Sequence, residues 1–154
     1  METAPNWKEM IPELSTFLDG KPIDPELWLD NIGRYDHAIG YGLLFWPSFV
    51  EHDGCVLLGK QIPKTYDQWK AKYSSDTSAL EAMLNHRHIL DIFPTAPEPN
   101  GALVVHFGRL LKEMWSAKLM RDFPNRKFEV EFSDKFDISV DNPSITFYTK
   151  KNGA

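Results

Sequence analysis

The apolar residues change their spacing at about residue 125, and that change constrains the C-terminal half more than any other feature. From 100 to 122, Leu103, Phe107, Leu110, Leu111, Met114 and Leu119 recur every three or four positions, which is the period of one helix face. The pairs Arg109/Glu113 and Lys118/Asp122 fall four apart on the other side, and Pro124-Asn125 stops the pattern. Beyond it Phe128, Val130 and Phe132, then Phe136, Ile138 and Val140, then Ile145 and Phe147, alternate with polar neighbours. A period of two is that of a strand with one buried face. Turn-forming residues separate the runs at Ser133-Asp134-Lys135 and Asp141-Asn142-Pro143, so the spacing predicts a three-stranded antiparallel meander.

Upstream the period is helical. Residues 7–19 place Trp7, Met10, Ile11, Leu14, Phe17 and Leu18 on one side, with Gly20 at the stop position. Asp24-Pro25-Glu26 opens a second helix with a capping side chain, a proline at the first helical position and an acidic residue at the positive helix end. Its apolar stripe is Trp28, Ile32, Tyr35, Ile39, Leu43 and Trp46, interrupted by Gly33, Gly40 and Gly42, which favour a bend, and ended by Pro47. His52-Asp53-Gly54 reads as a turn between two short strands, of which 55–58 is the stronger. A short helix follows over 63–73, with Tyr66, Trp69 and Tyr73 on one face, and Ser78-x-x-Glu81 forms a capping-box pattern opening another through Leu84. Phe93 to Asn100 holds three prolines and reads as a stiff connector.

Helices first and a meander last is the α+β pattern. The expectation is one domain over 1–154, with 1–6 and 151–154 disordered and about five helices on one face of the meander. Residues 55–58 are a candidate extra edge strand. At 154 residues, 42% hydrophobic and 25% charged, the chain is of ordinary globular composition, which excludes whole-chain disorder and a collagen-like structure. No apolar run approaches the roughly 18 residues of a membrane span, because 39–50 is short and carries Pro47. The N-terminal residues show no targeting pattern, so a cytoplasmic location is expected. The single cysteine, Cys55, excludes an intramolecular disulfide.

Seventeen Lys and Arg against 22 Asp and Glu give a net charge of −5, the wrong sign for nucleic acid, and Lys150-Lys151 is the longest basic cluster, too little for an anionic membrane. Gly54 to Gln61 matches a phosphate loop until its last position, where Gln stands in place of Ser or Thr, and its interior is a strand-forming apolar run. No cofactor is expected. Three constellations remain as candidate sites. Glu51, His52 and Asp53 put two carboxylates beside an imidazole, and with His37, on the helical series Asp30, Arg34, His37, Tyr41, they would make a proton-transfer site if the histidines converged. His86, His88 and Asp91 would make a metal site if the helix before them had ended, since residues two apart on a helix diverge. Strand alternation, finally, sends Glu129, Glu131, Asp137, Ser139 and Asp141 to the face opposite the core, joined by Thr146 and Tyr148. Like charges on neighbouring strands destabilise a sheet unless they serve solubility or a basic partner. The sequence thus points to a non-enzymatic protein-binding module, of the inhibitor or immunity kind, presenting an acidic sheet face to a basic protein surface. The competing reading is a small hydrolase-type enzyme built on the histidines and carboxylates, with metal at His86 and His88. The oligomeric state is left open.

Overall fold

A computed structural model describes residues 5–151 of the chain, and its centre is the strand with the most apolar sequence. The expected terminal disorder falls largely outside the described residues, as do the side chains of Leu18 and Asp19. In chain order the elements are α1 (Trp7–Met10), a 3-10 turn (Pro12–Ser15), α2 (Phe17–Gly20), α3 (Pro25–Ile32), α4 (Tyr35–Phe45), β1 (Phe49–His52), β2 (Cys55–Leu58), α5 (Tyr66–Tyr73), α6 (Thr77–Leu84), β3 (Arg87–His88), α7 (Gly101–Asp122), β4 (Phe128–Phe132) and β5 (Ser144–Thr149). The class is α+β: helices around two small antiparallel sheets, β1-β2 and β3-β5-β4.

β1 and β2 form a hairpin in which Phe49 pairs with Leu58 and His52 with Cys55. Asp53 and Gly54 close it with positive φ at both positions, 51° and 82°, the turn whose twist matches that of the strands it joins. β2 is buried on both faces, which explains why its sequence is a run and not an alternation. Val56 joins the main core with Leu111, Trp115 and Leu119 of α7 and with Val130, Ile145 and Phe147 of the second sheet. Cys55 and Leu57 point the other way, into a smaller core with Tyr66 of α5 and Leu80 and Leu84 of α6. Helices therefore lie on both sides of the strands, α7 on one and α5 with α6 on the other. The arrangement expected from the sequence, with every helix on one face, is corrected on this point.

α7 follows its periodic pattern closely, with Asn100 capping the first turn by accepting from Leu103 N at 2.9 Å. Its buried stripe is rotated by about one position from the expected one, to Val104, Gly108, Leu111, Trp115 and Leu119. Gly108 sits where the Phe132 ring presses on the helix, so that any Cβ there would run into the ring. Arg109 reaches Asp134 at 2.5 Å, across to the loop after β4, whereas Lys118 pairs with Asp122 on the same helix as the spacing implied.

Two long helices expected from periodicity are broken. Pro12 divides the first into α1 and a 3-10 turn, since proline has no N–H to continue an α-helix. The second breaks at Gly33-Arg34 into α3 and α4. Gly33 is extended there, and a Cβ would lie 2.6 Å from Leu29 O, so glycine is the residue the joint requires.

The middle strand of the meander is absent. Residues 133–143 form an ordered loop, β4 and β5 pair directly, from Phe128↔Thr149 to Phe132↔Ile145, and the third strand is the two-residue β3 at Arg87↔Ile145 and His88↔Ser144. Phe136 and Ile138 still pack on the main core, as the alternation implies, whereas Val140, the third residue of that run, is 79% exposed. What prevents a strand is local competition for the backbone. Asp141 Oδ2 accepts from Asp137 N at 2.7 Å, Asp137 Oδ1 accepts from Ser139 N at 3.0 Å and from Ser139 Oγ at 2.7 Å, and Asp141 N donates to Asp137 O at 2.7 Å. These bonds close a turn over 137–141.

Candidate functional site

The acidic face survives in part. On β4 and β5, Glu129, Glu131 and Tyr148 share the side away from the main core, and with Asp76, Ser78, Lys150 and Lys151 they line a hollow of about 580 Å³ beside α6. Two of its three carboxylates are ion-paired: Lys150 Nζ lies 2.6 Å from Glu129 and Lys151 Nζ 2.8 Å from Asp76, while Glu131 is met only by the Tyr148 hydroxyl, which donates to it at 2.5 Å, the bond that pushes the phenol up to about 12. α6 covers the neighbouring part of this face, where Thr146 Oγ1 donates to Ala82 O at 2.6 Å. Asp137 and Asp141 do not join the cluster. They are spent on the turn just described, and the two bonds from Ser139 hold the Asp137 carboxyl below the usual range.

His37 and His52 occupy different surroundings. His37 lies on α4 with its ring 6.2 Å from that of Tyr41, and His52 ends β1 against the Tyr66 ring at 4.7 Å. Around His52 the structure gathers Asp53, ion-paired to Lys70, together with Tyr66 and Cys55, while Glu51 turns to Arg126 at 3.2 Å. Lys70 holds Asp53 in its ionised form, whereas burial pushes the Cys55 thiol up and Tyr66 to about 12. The thiol and phenol nearest the imidazole are thereby kept protonated, the form that is not nucleophilic.

His86 and His88 do face one another. α6 ends at Leu84, β3 is extended, and in a strand residues two apart share a side, so the rings meet at 4.6 Å. Burial and the neighbouring His88 and Arg87 hold His86 below the ordinary histidine value. Asp91 is turned to Asn142 Nδ2 at 3.1 Å, and among the described residues no group of three or more His, Cys, Asp or Glu is placed to hold a metal ion.

Two features escaped the sequence reading. The first is a polar pair inside the core. Ser78-x-x-Glu81 is not a capping box: Asp76 caps α6, accepting from Ala79 N at 3.0 Å, and Ser78 Oγ donates to Thr149 O. Glu81 and Asn85, one turn apart on α6, reach between the edge of β2 and the free half of β5. Glu81 accepts from Val56 N at 2.7 Å, Thr149 N at 2.5 Å and Thr149 Oγ1 at 3.0 Å, and Asn85 bonds to Leu58 N, Val56 O and Phe147 O. Two strands that never pair with each other are thus joined through side chains.

The second feature is the arm formed by α3 and α4. Every residue from 29 to 43 is exposed, although the segment contains Leu29, Ile32, Tyr35, Ile39, Tyr41 and Leu43. Tyr35, Ile39 and Leu43, four apart and therefore on one ridge, are 95%, 73% and 68% exposed. The opposite side of α4 is held to the body by Leu44 and Phe45, by Trp115 Nε1 donating to Leu44 O at 2.9 Å, and by Tyr41 edge-on to Phe93 at 5.8 Å. α4 is apolar on both sides, with Asp36 and His37 its only strongly polar residues. That composition was the available signal, because a helix with no polar face is one that something covers on every side.

No helix among the described residues is long and apolar enough to cross a membrane. Comparison of the chain with protein-family models, with curated proteins and with solved structures finds no match in any of the three.

Proposed function

We propose that this chain is a non-enzymatic protein-binding module whose contact surface is the arm α3–α4. The observation that carries the reading is the unbroken exposure of residues 29–43 with six large apolar side chains among them. Monomeric proteins rarely leave an apolar patch larger than a few hundred Å² in water, and larger ones mark interaction sites. The arm is also acidic at its start, with Asp24, Glu26, Asp30 and Asp36 against Arg34, which suits an apolar partner surface with basic groups at its rim.

A second surface has a specific observation in its favour. Asp76, Glu129 and Glu131 converge on one hollow with Tyr148, and its two lysines make exposed pairs that a partner's Lys or Arg can replace at little cost. It suits the basic protein surface expected from the sequence, as a contact auxiliary to the arm.

A photo-crosslinking side chain introduced at Tyr35, with a control at Glu131, tests the reading in extracts of cells expressing the protein. Discrete polypeptide adducts from position 35 are expected; an absence of adducts there would contradict the assignment of the arm, and adducts from 131 alone would move the contact to the acidic hollow.

A further inference from the structure

Resting on the reading of α3–α4 as a binding arm, we propose that its occupant is a second copy of this chain, with α4 running antiparallel to its counterpart about a two-fold axis near Ile39. Three observations carry this. Leu29, Ile32, Tyr35, Ile39 and Leu43 are 43 to 95% exposed, so the arm offers a large share of the apolar area that one partner contributes to a specific interface. An isologous contact uses the same patch twice, so an apolar face without strong charges along its ridge is what such a contact needs.

The ridge is also self-complementary in shape. With Ile39 at the axis, Tyr35 of one copy meets Leu43 of the other at both ends, and a large residue falls against a branched one twice. Gly42, beside the ridge, has open space where its Cβ would be, so the partner backbone can approach there. Charge fixes the direction. The N-terminal end of α4 follows the acidic α3, which supplies Asp24, Glu26 and Asp30, whereas Asp36 is already paired with Arg34 at 2.7 Å; the C-terminal end at Trp46 is flanked by Lys118 and Arg121, 5.9 and 6.0 Å from the indole centre. Antiparallel docking brings the acidic end of each copy to the basic end of the other; parallel docking would set like against like. Lys118 already pairs with Asp122, whereas among the described residues Arg121 has no ion-pair partner, which makes Arg121 the group the second copy would engage.

Sedimentation velocity on the full chain tests the proposal. A species of twice the 17.8 kDa chain mass is expected at about 100 μM, dissociating on dilution. Ile39→Glu with Leu43→Glu, at positions already in water, should leave the circular dichroism unchanged and give monomer throughout. Arg121→Glu should raise the dissociation constant about fivefold, the effect of losing a peripheral ion pair at each end. Under mild oxidation the Ile39→Cys variant should form a covalent dimer, since the native thiol, Cys55, is wholly buried. A wild-type chain that stays monomeric at about 100 μM, a dimer that survives the double glutamate variant, or an unchanged constant for Arg121→Glu would each overturn the antiparallel self-contact. Failure of the broader reading looks different. A monomer that still gives adducts with other polypeptides from position 35 keeps the binding arm and removes only the second copy, whereas a monomer with no adducts removes both.

Discussion

Glu81 is the residue on which the two sheets depend. Truncating it to Ala strands the N–H groups of Val56 and Thr149 in the interior, and the expected cost, read from urea unfolding, is about 2 to 4 kcal/mol. Burial raises the proton affinity of its carboxyl above the ordinary value even though three donors surround it. A group whose affinity is raised by folding contributes stability that is fully present below its unfolded pKa, about 4.3, and that is lost as pH rises through the folded value. The gap in stability between the wild type and Glu81→Ala should therefore narrow from pH 4 to pH 7, and a gap that widened over that range would show that the donors outweigh burial. Asp36, Asp53, Asp76, Asp134 and Asp137, each held low by a neighbour, act in the opposite sense and lose their contribution as pH falls through their depressed values. The role of Glu81 was not legible in the sequence. Ser78-x-x-Glu81 fits a local motif, whereas its real partners stand 25 and 68 positions away along the chain.

At the scale of elements, legibility followed how local the determinants were. α7 was readable because periodicity, length and a proline stop all lie within it, and the hairpin was readable from Asp53-Gly54 and the run after it. The middle strand of the meander was not, because the alternation there reflects the burial of Phe136 and Ile138 and not a strand, and the bonds of Asp137 and Asp141 to the backbone decided the conformation and left Val140 in water. The third strand came from Arg87–His88, two residues that no periodicity test detects. For the arm, the apolar stripe was legible but its destination was not, since periodicity does not say whether the chain covers a stripe by itself. Substitutions on the two sides of α4 separate these possibilities. Ile39→Glu and Leu43→Glu should shift unfolding of the isolated chain by less than about 0.5 kcal/mol, while Leu44→Ala and Phe45→Ala, on the side packed against α7, should each cost about 1 to 3 kcal/mol. The reverse order would place the core on the other side of the helix.

For the whole molecule, the division is between a body closed by two cores and an arm that adds little to it. The candidate sites read from the sequence divide along the same line. His52 and Asp53 are built into the body beside Tyr66, His86 and His88 meet at the start of β3 without a third ligand among the described residues, and Glu129, Glu131 and Tyr148 line a hollow whose two lysines pair with Glu129 and Asp76. What remains without a counterpart is the apolar ridge. Amide-hydrogen exchange, followed by mass spectrometry over a dilution series of the purified chain, tests that most directly. Exchange in 35–45 should slow at least about tenfold between roughly 0.1 and 100 μM while 66–84 stays unchanged; identical exchange in 35–45 at both concentrations would contradict a ridge covered by a second copy.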